Sequence, residues 1–335
     1  MTAMKPSILV TRAIFPDVIE RLAQYFDVDA NQEDLVLDSA ALRARLAGKS
    51  GVLANAADRI DGELVAALPQ LRAVCNMAVG YNNLDLPALT AAGVVATNTP
   101  DVLTETTADF GWALLMATAR RVTEGEHYLR AGKWERWSYD MLVGVDVHGS
   151  TLGILGMGRI GQGLARRAAG FGMQVLYHNR SQLPVDVERS LNARYVTKAE
   201  LLQQSDHLIL VLPYSAESHH AIGAAEIAQM KPSATLINLA RGGIVDDAAL
   251  AAALRARKIF AAGLDVFEGE PSVHPDLLTV PNVVLTPHIA SASEKTRRAM
   301  ANLAADNLIA ALDAGPQAGN PPTVINPEVM SGRRR

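Results

Sequence analysis

Apolar positions along the chain fall into two alternating kinds of run. Short, nearly continuous aliphatic stretches at Ser7 to Val10, Gly51 to Ala54, Leu71 to Met77 and Val94 to Thr97 read as strands buried on both faces. Between them, Val18 to Phe26, Ser39 to Leu46, Asp61 to Ala67 and Asp85 to Ala92 carry apolar residues near helical spacing. The alternation predicts an α/β domain of parallel type over residues 1–100. Its strand ends carry no glycine-rich loop, so nothing in it points to a nucleotide. Asn98, Pro100 and Asp101 break the pattern, and Thr104 to Leu129 is predicted as one long helix. After an aromatic segment with Trp134, Trp137 and Tyr139, a second series starts at Thr151. Its predicted strands are Thr151 to Leu155, Met173 to Tyr177, His207 to Leu212, Ala234 to Leu239, Ala261 to Asp265 and Asn282 to Thr286. Helices fit between most of them, notably Arg159 to Gly170 and Asp246 to Arg257, an order that suits a doubly wound sheet. A helix over Glu294 to Leu312 precedes a Gly/Pro-rich tail from Gly315, and Arg333 to Arg335 read as a solvated end.

Composition narrows the class. The 335 residues suggest two domains, and a net charge of −4 with no long block of one sign argues against a nucleic-acid surface or an anionic-membrane surface. No apolar run approaches the roughly 18 residues of a membrane helix, and no signal peptide is visible, so a soluble chain is expected. The single cysteine, Cys75, lies in an apolar run and reads as a small buried hydrophobe, which fits a reducing cytoplasm.

The clearest motif is Gly156-Met157-Gly158-Arg159-Ile160-Gly161. G-x-G-x-x-G alone is weak, but here it directly follows a predicted strand and opens a helix whose Ile160, Leu164, Ala168 and Phe171 share one face, with Gly172 as its C-cap. The first glycine permits the tight turn, the second admits a pyrophosphate, and the third lets helix and strand pack. A dinucleotide is therefore expected. Enzymes that use NAD usually carry an acidic residue at the end of the next strand for the ribose 2′-hydroxyl. This chain has Tyr177-His178-Asn179-Arg180-Ser181, with no carboxylate before Asp186. Arg180 and Ser181 could hold a 2′-phosphate, which favours NADP, NADPH in the reductive direction, and leaves NAD open.

A nicotinamide coenzyme supplies hydride, so the protein must supply a proton donor and a substrate clamp. Arg241 follows a strand in Asn238-Leu239-Ala240-Arg241-Gly242-Gly243, where glycines give access and a guanidinium can grip a carboxylate. Asp265 ends the next strand, Glu270 follows in Glu268-Gly269-Glu270-Pro271, and His288 ends the last strand. A histidine so placed suits proton donation near neutral pH, and a neighbouring carboxylate would support the imidazolium and fix its tautomer. Alone it would read as structural; its clustering with Arg241 and Glu270 reverses that. His219-His220 lies in a polar loop with no third ligand at metal spacing, so no metal site is expected. His127, His148, His178, His207 and His274 show no partner pattern, and no G-x-S-x-G elbow surrounds any serine.

With these residues in place the chain resembles the D-isomer-specific 2-hydroxyacid dehydrogenase family, and most closely its glyoxylate/hydroxypyruvate reductase and 2-ketogluconate reductase branch. The resemblance runs through Val79-Gly80-Tyr81-Asn82-Asn83-Leu84-Asp85, Thr99 to Glu105, Thr151 to Gly161, Asn238 to Val245, Gly263 to Pro271, Pro287-His288-Ile289 and Val324 to Glu328. It implies a flavodoxin-like substrate domain over 1–103 plus 291–335, around a Rossmann coenzyme domain at 104–290. It implies Arg241, Glu270 and His288 as the catalytic residues, with the amides of Val79 and Gly80 sharing the substrate carboxylate with Arg241. Asp265 would bind the nicotinamide carboxamide, and Thr107, Arg159, Ile160, Asn179 and Ala240 would join the coenzyme contacts. A small 2-keto acid is the implied substrate, and a homodimer joined through the coenzyme domain is implied, with the arm Trp134 to Val147 crossing to the partner. Ala290 stands where the branch commonly has Gly, which concerns the backbone beside His288. Two other readings remain: a dinucleotide-sensing binding protein of corepressor type, and another branch such as phosphoglycerate or formate dehydrogenase. Against the first stand the absence of an extension and a short C-terminal tail; against the second, the lack of residues for a regulatory domain.

Overall fold

The computed structural model describes residues 5–332. Contacts divide the chain into two compact units, one holding the described residues up to Leu103 and from Ser293 onward, the other Thr104–Ala292.

The first unit is built on five parallel strands, β1 (Ser7–Val10), β2 (Asp27–Ala30), β3 (Gly51–Ala54), β4 (Ala73–Asn76) and β5 (Val95–Thr97), in the order β2-β1-β3-β4-β5. Successive strand residues point to opposite faces. Ile8, Val10, Leu53 and Cys75 pack against helix Glu294–Ala311, whose Ala301, Ala304 and Ala305 allow close approach. Leu9, Val52, Val74 and Ala96 pack on the other side with Leu42, Leu46, Leu64 and Leu89. Edge strand β5 is covered by the returning tail, where Asn326 Oδ1 accepts from Ala96 N and Asn326 Nδ2 donates to Val94 O. Burial pushes the Cys75 thiol up to about 12, so it stays an inert thiol in the sheet.

The second unit carries seven parallel strands: β6 (Thr151–Leu155), β7 (Gln174–His178), β8 (Ala193–Tyr195), β9 (His207–Leu210), β10 (Thr235–Asn238), β11 (Ala261–Leu264) and β12 (Val283–Leu285). Their order is β12-β11-β10-β9-β6-β7-β8, so strand order reverses between β6 and β9, the point at which doubly wound sheets open a crevice for ligands. Helices Thr104–Ala119 and Arg159–Ala168 cover one face through Leu114, Leu115 and Leu164 against Ile154, Ile209 and Ile237. Leu201, Leu250 and Leu254 cover the other against Leu208, Leu236 and Leu264. Among the described residues no helix is long and apolar enough to cross a membrane.

Two expectations need correction. The single helix over Thr104 to Leu129 is two, Thr104–Ala119 and Val122–Arg130. Arg121 takes the left-handed conformation (φ 55°), and Val145 N–H donates to Ala119 O, so a distant segment supplies the donor that a continuing turn would have supplied. The second sheet has seven strands where six were predicted, and the first also holds β2, inside a stretch without an apolar run. Both β2 and β8 are short edge strands with polar or half-exposed residues, which leave no buried run to read.

Candidate active site

The glycine turn sits at the end of β6, beside the reversal in strand order. Gly156 has φ 103°, and a Cβ there would lie 2.8 Å from Leu212 N at the end of β9. A Cβ at Gly161 would overlap the Gly156 carbonyl, whereas one at Gly158 would meet nothing within 4 Å. The first and third glycines are thus required by the protein's own packing; the second leaves open space over a helix N-terminus that no side chain caps. Exposed amide dipoles and an open approach fit a pyrophosphate. Asn179 Oδ1 accepts from Met157 N at 2.6 Å, so this side chain fastens the turn to β7. Thr107, on the helix whose Ala108 packs against Gly163, has a buried hydroxyl with no hydrogen-bond partner among the described residues. Arg159 and Arg180 are exposed, and Ile160 packs part-buried against the core. Glu217 stands near Arg180: its carboxyl lies below the usual range, first through the Ser215 hydroxyl and in smaller part through the charge of Arg180. Sequence spacing gave no hint of this carboxylate.

The loops that follow β10, β11 and β12 bring the ionisable residues together. After β10, Asn238 Oδ1 accepts from Ala240 N (3.0 Å) and its Nδ2 donates to Arg241 O (3.2 Å), closing the turn that carries Arg241. Gly242 lies against the Phe267 carbonyl with no room for a Cβ, which joins this turn to the loop after β11. In that loop Glu270 Oε1 accepts from Phe267 N and Oε2 accepts from His288 Nδ1, both at 2.8 Å. An ionised carboxylate only accepts, so His288 carries hydrogen on Nδ1 and keeps Nε2 for a ligand. Burial acts to raise the Glu270 carboxyl, but the His288 bond and charge, the Phe267 N–H and Arg241 together hold it below the ordinary glutamate value. Burial likewise draws Arg241 down from the usual arginine value while the charge of Glu270 opposes it; the guanidinium remains charged.

His288 itself has φ 53°, a conformation unfavourable for a residue with a Cβ. Asp265, fully buried at the end of β11, holds it there. Its Oδ1 accepts from Ile289 N (2.8 Å) and Thr286 Oγ1 (2.7 Å), and its Oδ2 accepts from Ala290 N (2.8 Å). Burial raises the Asp265 carboxyl, opposed by these bonds and by His288. In the structure this carboxylate serves the protein's own backbone, a positioning role that strand-end location alone did not reveal. Ala290 is not among the residues with positive φ, so the backbone at this position does not call for glycine.

In the first unit, Val79 O accepts from Asn98 Nδ2 (2.7 Å) and Gly80 O from Asn76 Nδ2 (3.0 Å). Neither Val79 N–H nor Gly80 N–H has an acceptor among the described residues. His207 is buried in β9 between Thr235 Oγ1 and Asp146 O, and burial lowers its pKa, a structural histidine. The metal expectation rested on the lack of a third ligand beside His219 and His220; the fold brings Glu268 there from the loop after β11.

Comparison with known proteins gives one answer. Residues 112–290 match the model described as D-isomer specific 2-hydroxyacid dehydrogenase, NAD binding domain. The chain is 44% identical to a glyoxylate reductase of Thermococcus onnurineus over 335 residues, covering 99% of each chain. It is 45% identical to glyoxylate/hydroxypyruvate reductase B of Klebsiella pneumoniae, over 97% of this chain and 100% of that protein. The crystal structure of an NADPH-dependent glyoxylate/hydroxypyruvate reductase from Sinorhizobium meliloti, in complex with NADP and malonate, superposes with a TM-score of 0.86 at 38% identity, covering 99% of both chains. Two parallel α/β sheets, a glycine turn at the strand reversal and a Glu270–His288 pair beside Arg241 accompany this similarity, and the protein belongs to the D-isomer specific 2-hydroxyacid dehydrogenase family, an oxidoreductase with a Rossmann-type NAD(P) domain.

Proposed function

We propose that the protein is an NADPH-preferring reductase of short 2-keto acids, glyoxylate and hydroxypyruvate foremost with 2-ketogluconate a further substrate, forming D-2-hydroxy acids. The observation that carries this reading is the Glu270–His288 hydrogen bond, which commits Nδ1 and leaves Nε2 for a carbonyl oxygen. With the coenzyme's pyrophosphate held at the Gly156–Gly161 turn, its reduced nicotinamide would supply the hydride. His288 then delivers the proton from Nε2 to the carbonyl oxygen, and Glu270 balances the imidazolium before transfer. Arg241 holds the substrate carboxylate and polarises the carbonyl. The N–H groups of Val79 and Gly80 are the further donors proposed for that carboxylate. Residues 104–290 form the proposed coenzyme domain, and 1–103 with 291–335 the proposed substrate domain.

Coenzyme choice is assigned to Arg180 and Ser181. A charge-assisted phosphate contact corresponds to roughly ten- to hundredfold in kcat/KM. The test is a kcat/KM panel over the three keto acids with NADPH and NADH, followed by nicotinamide absorbance. Arg180→Ala is expected to remove most of the NADPH preference by raising its KM, with the NADH value nearly unchanged. Equal use of both coenzymes by wild type, or an unchanged ratio in the variant, would assign discrimination elsewhere; no turnover of any of the three would remove the reductase reading.

A cytoplasmic homodimer is the proposed state. Trp134, Trp137 and Tyr139 are exposed on the chain, and Trp137 and Tyr139 pack edge to face, an apolar surface that a partner would cover. Sedimentation at micromolar concentration should return a dimer mass with both tryptophans shielded from acrylamide. A monomer with quenched tryptophans would contradict this.

A further inference from the structure

Three side chains outside the keto-acid chemistry meet at the C-terminal edge of the seven-stranded sheet. His219 and His220 lie beyond β9 and Glu268 beyond β11, and one ligating atom from each falls within 4.8 Å of the others. His220 Nε2 lies 3.1 Å from a Glu268 carboxylate oxygen, and its Nδ1 faces Asp246 Oδ2 at 4.0 Å. The two imidazoles stack with centroids 3.9 Å apart, and Tyr214 Oη lies 3.1 Å from His219 Nδ1.

An ordinary ion pair would account for His220 and Glu268. It leaves unexplained a second imidazole, held by a phenol, beside the same carboxylate. Imidazole nitrogen and carboxylate oxygen are the donors that zinc-class dications take, and ligating histidines have their other ring nitrogen held by an outer partner. Tyr214 engages Nδ1 of His219, and Asp246 lies toward Nδ1 of His220, whose Nε2 faces Glu268. We propose that His219, His220 and Glu268 bind one zinc-class divalent transition-metal ion, with water in the fourth position. Bonds of roughly 2.0–2.2 Å require the ligand atoms to draw together by about 1 Å, which the exposed His219 and Glu268 side chains can supply. Backbone placement is already set: His220 N–H donates to Gly243 O at 2.7 Å, and Glu268 N–H to Asp247 Oδ2 at 3.0 Å. The ion would fasten the loop after β9, which His220 N–H joins to Gly243 two residues beyond Arg241, to the loop two residues before Glu270.

The test reads binding and is independent of turnover. Untagged protein, stripped with chelator and desalted, is titrated with cobalt(II) chloride and then displaced with zinc chloride. One equivalent of cobalt per chain is expected, with the visible absorption of a four-coordinate site. His220→Asn and Glu268→Gln should each weaken binding by more than about a hundredfold, and Tyr214→Phe by about tenfold. His127→Asn, in the helix Val122–Arg130, should leave it unchanged. Glu268→Gln and Tyr214→Phe are close in shape to the originals, so the result does not depend on the histidine variants folding. No cobalt bound by wild type at submillimolar metal, or equal binding by wild type and a His219→Asn/His220→Asn double variant, would overturn the proposal.

Discussion

Alanine in place of His288 is expected to lower kcat for keto-acid reduction by about a hundredfold or more, the usual worth of a positioned acid, while coenzyme affinity stays unchanged. The reason is geometric. His288 is held at φ 53° by bonds from the Asp265 carboxylate to the next two backbone amides, and its Nδ1 is committed to Glu270. Nε2 is the one ring nitrogen available to a substrate, and alanine removes it without touching the glycine turn. Full activity in the variant would end the mechanism. Glu270→Gln adds a pH test. The folded Glu270 value lies below its ordinary 4.5, so the unfolded chain binds the proton first as pH falls. Its contribution to stability is therefore complete above that ordinary value and is lost as the pH drops through the lower folded one. Over about pH 5 to 8 the carboxylate stays charged, and wild-type reduction should show no limb from its titration. With glutamine the imidazolium loses its counter-charge, and the rate should fall across that window. A profile identical to wild type would remove Glu270 from this role.

Arg241→Ala should produce the larger loss in kcat/KM, roughly a thousandfold, with KM for the keto acid raised and kcat lowered together. Arg241 is partly buried beside Ala240 O and Glu270, where a charge–charge contact is weakened less by solvent than on the open surface. The same group grips the carboxylate in the ground state and meets growing charge on the carbonyl oxygen. Lysine should recover only a small part of the loss, because an ammonium lacks the planar fork. A variant with wild-type KM for hydroxypyruvate and glyoxylate would place the clamp elsewhere. Unchanged coenzyme binding in the same variant separates a substrate role from collapse of the loop.

Much of this architecture was written in local pattern. Strands buried on both faces appear as unbroken aliphatic runs, and the turn at Gly156 to Gly161 announces itself because two of its glycines are imposed by packing contacts a Cβ would destroy. Arg241, Glu270 and His288 stood out as ionisable residues at the ends of apolar strands, where parallel sheets present side chains to ligands. Edge strands β2 and β8 did not stand out, because a strand paired on one side needs no continuous apolar run. The break at Arg121 depends on Val145 donating to Ala119 O from a segment beyond the second helix. Other features arise only when distant segments meet: the tautomer of His288, the grip of Asp265 on Ile289 and Ala290, Asn179 closing onto Met157, Glu217 beside Arg180, and Glu268 beside His219 and His220. Residue type and spacing along a chain encode burial and backbone preference; which polar atom ends at bonding distance from which is decided by the topology that folds β9, β10, β11 and β12 side by side.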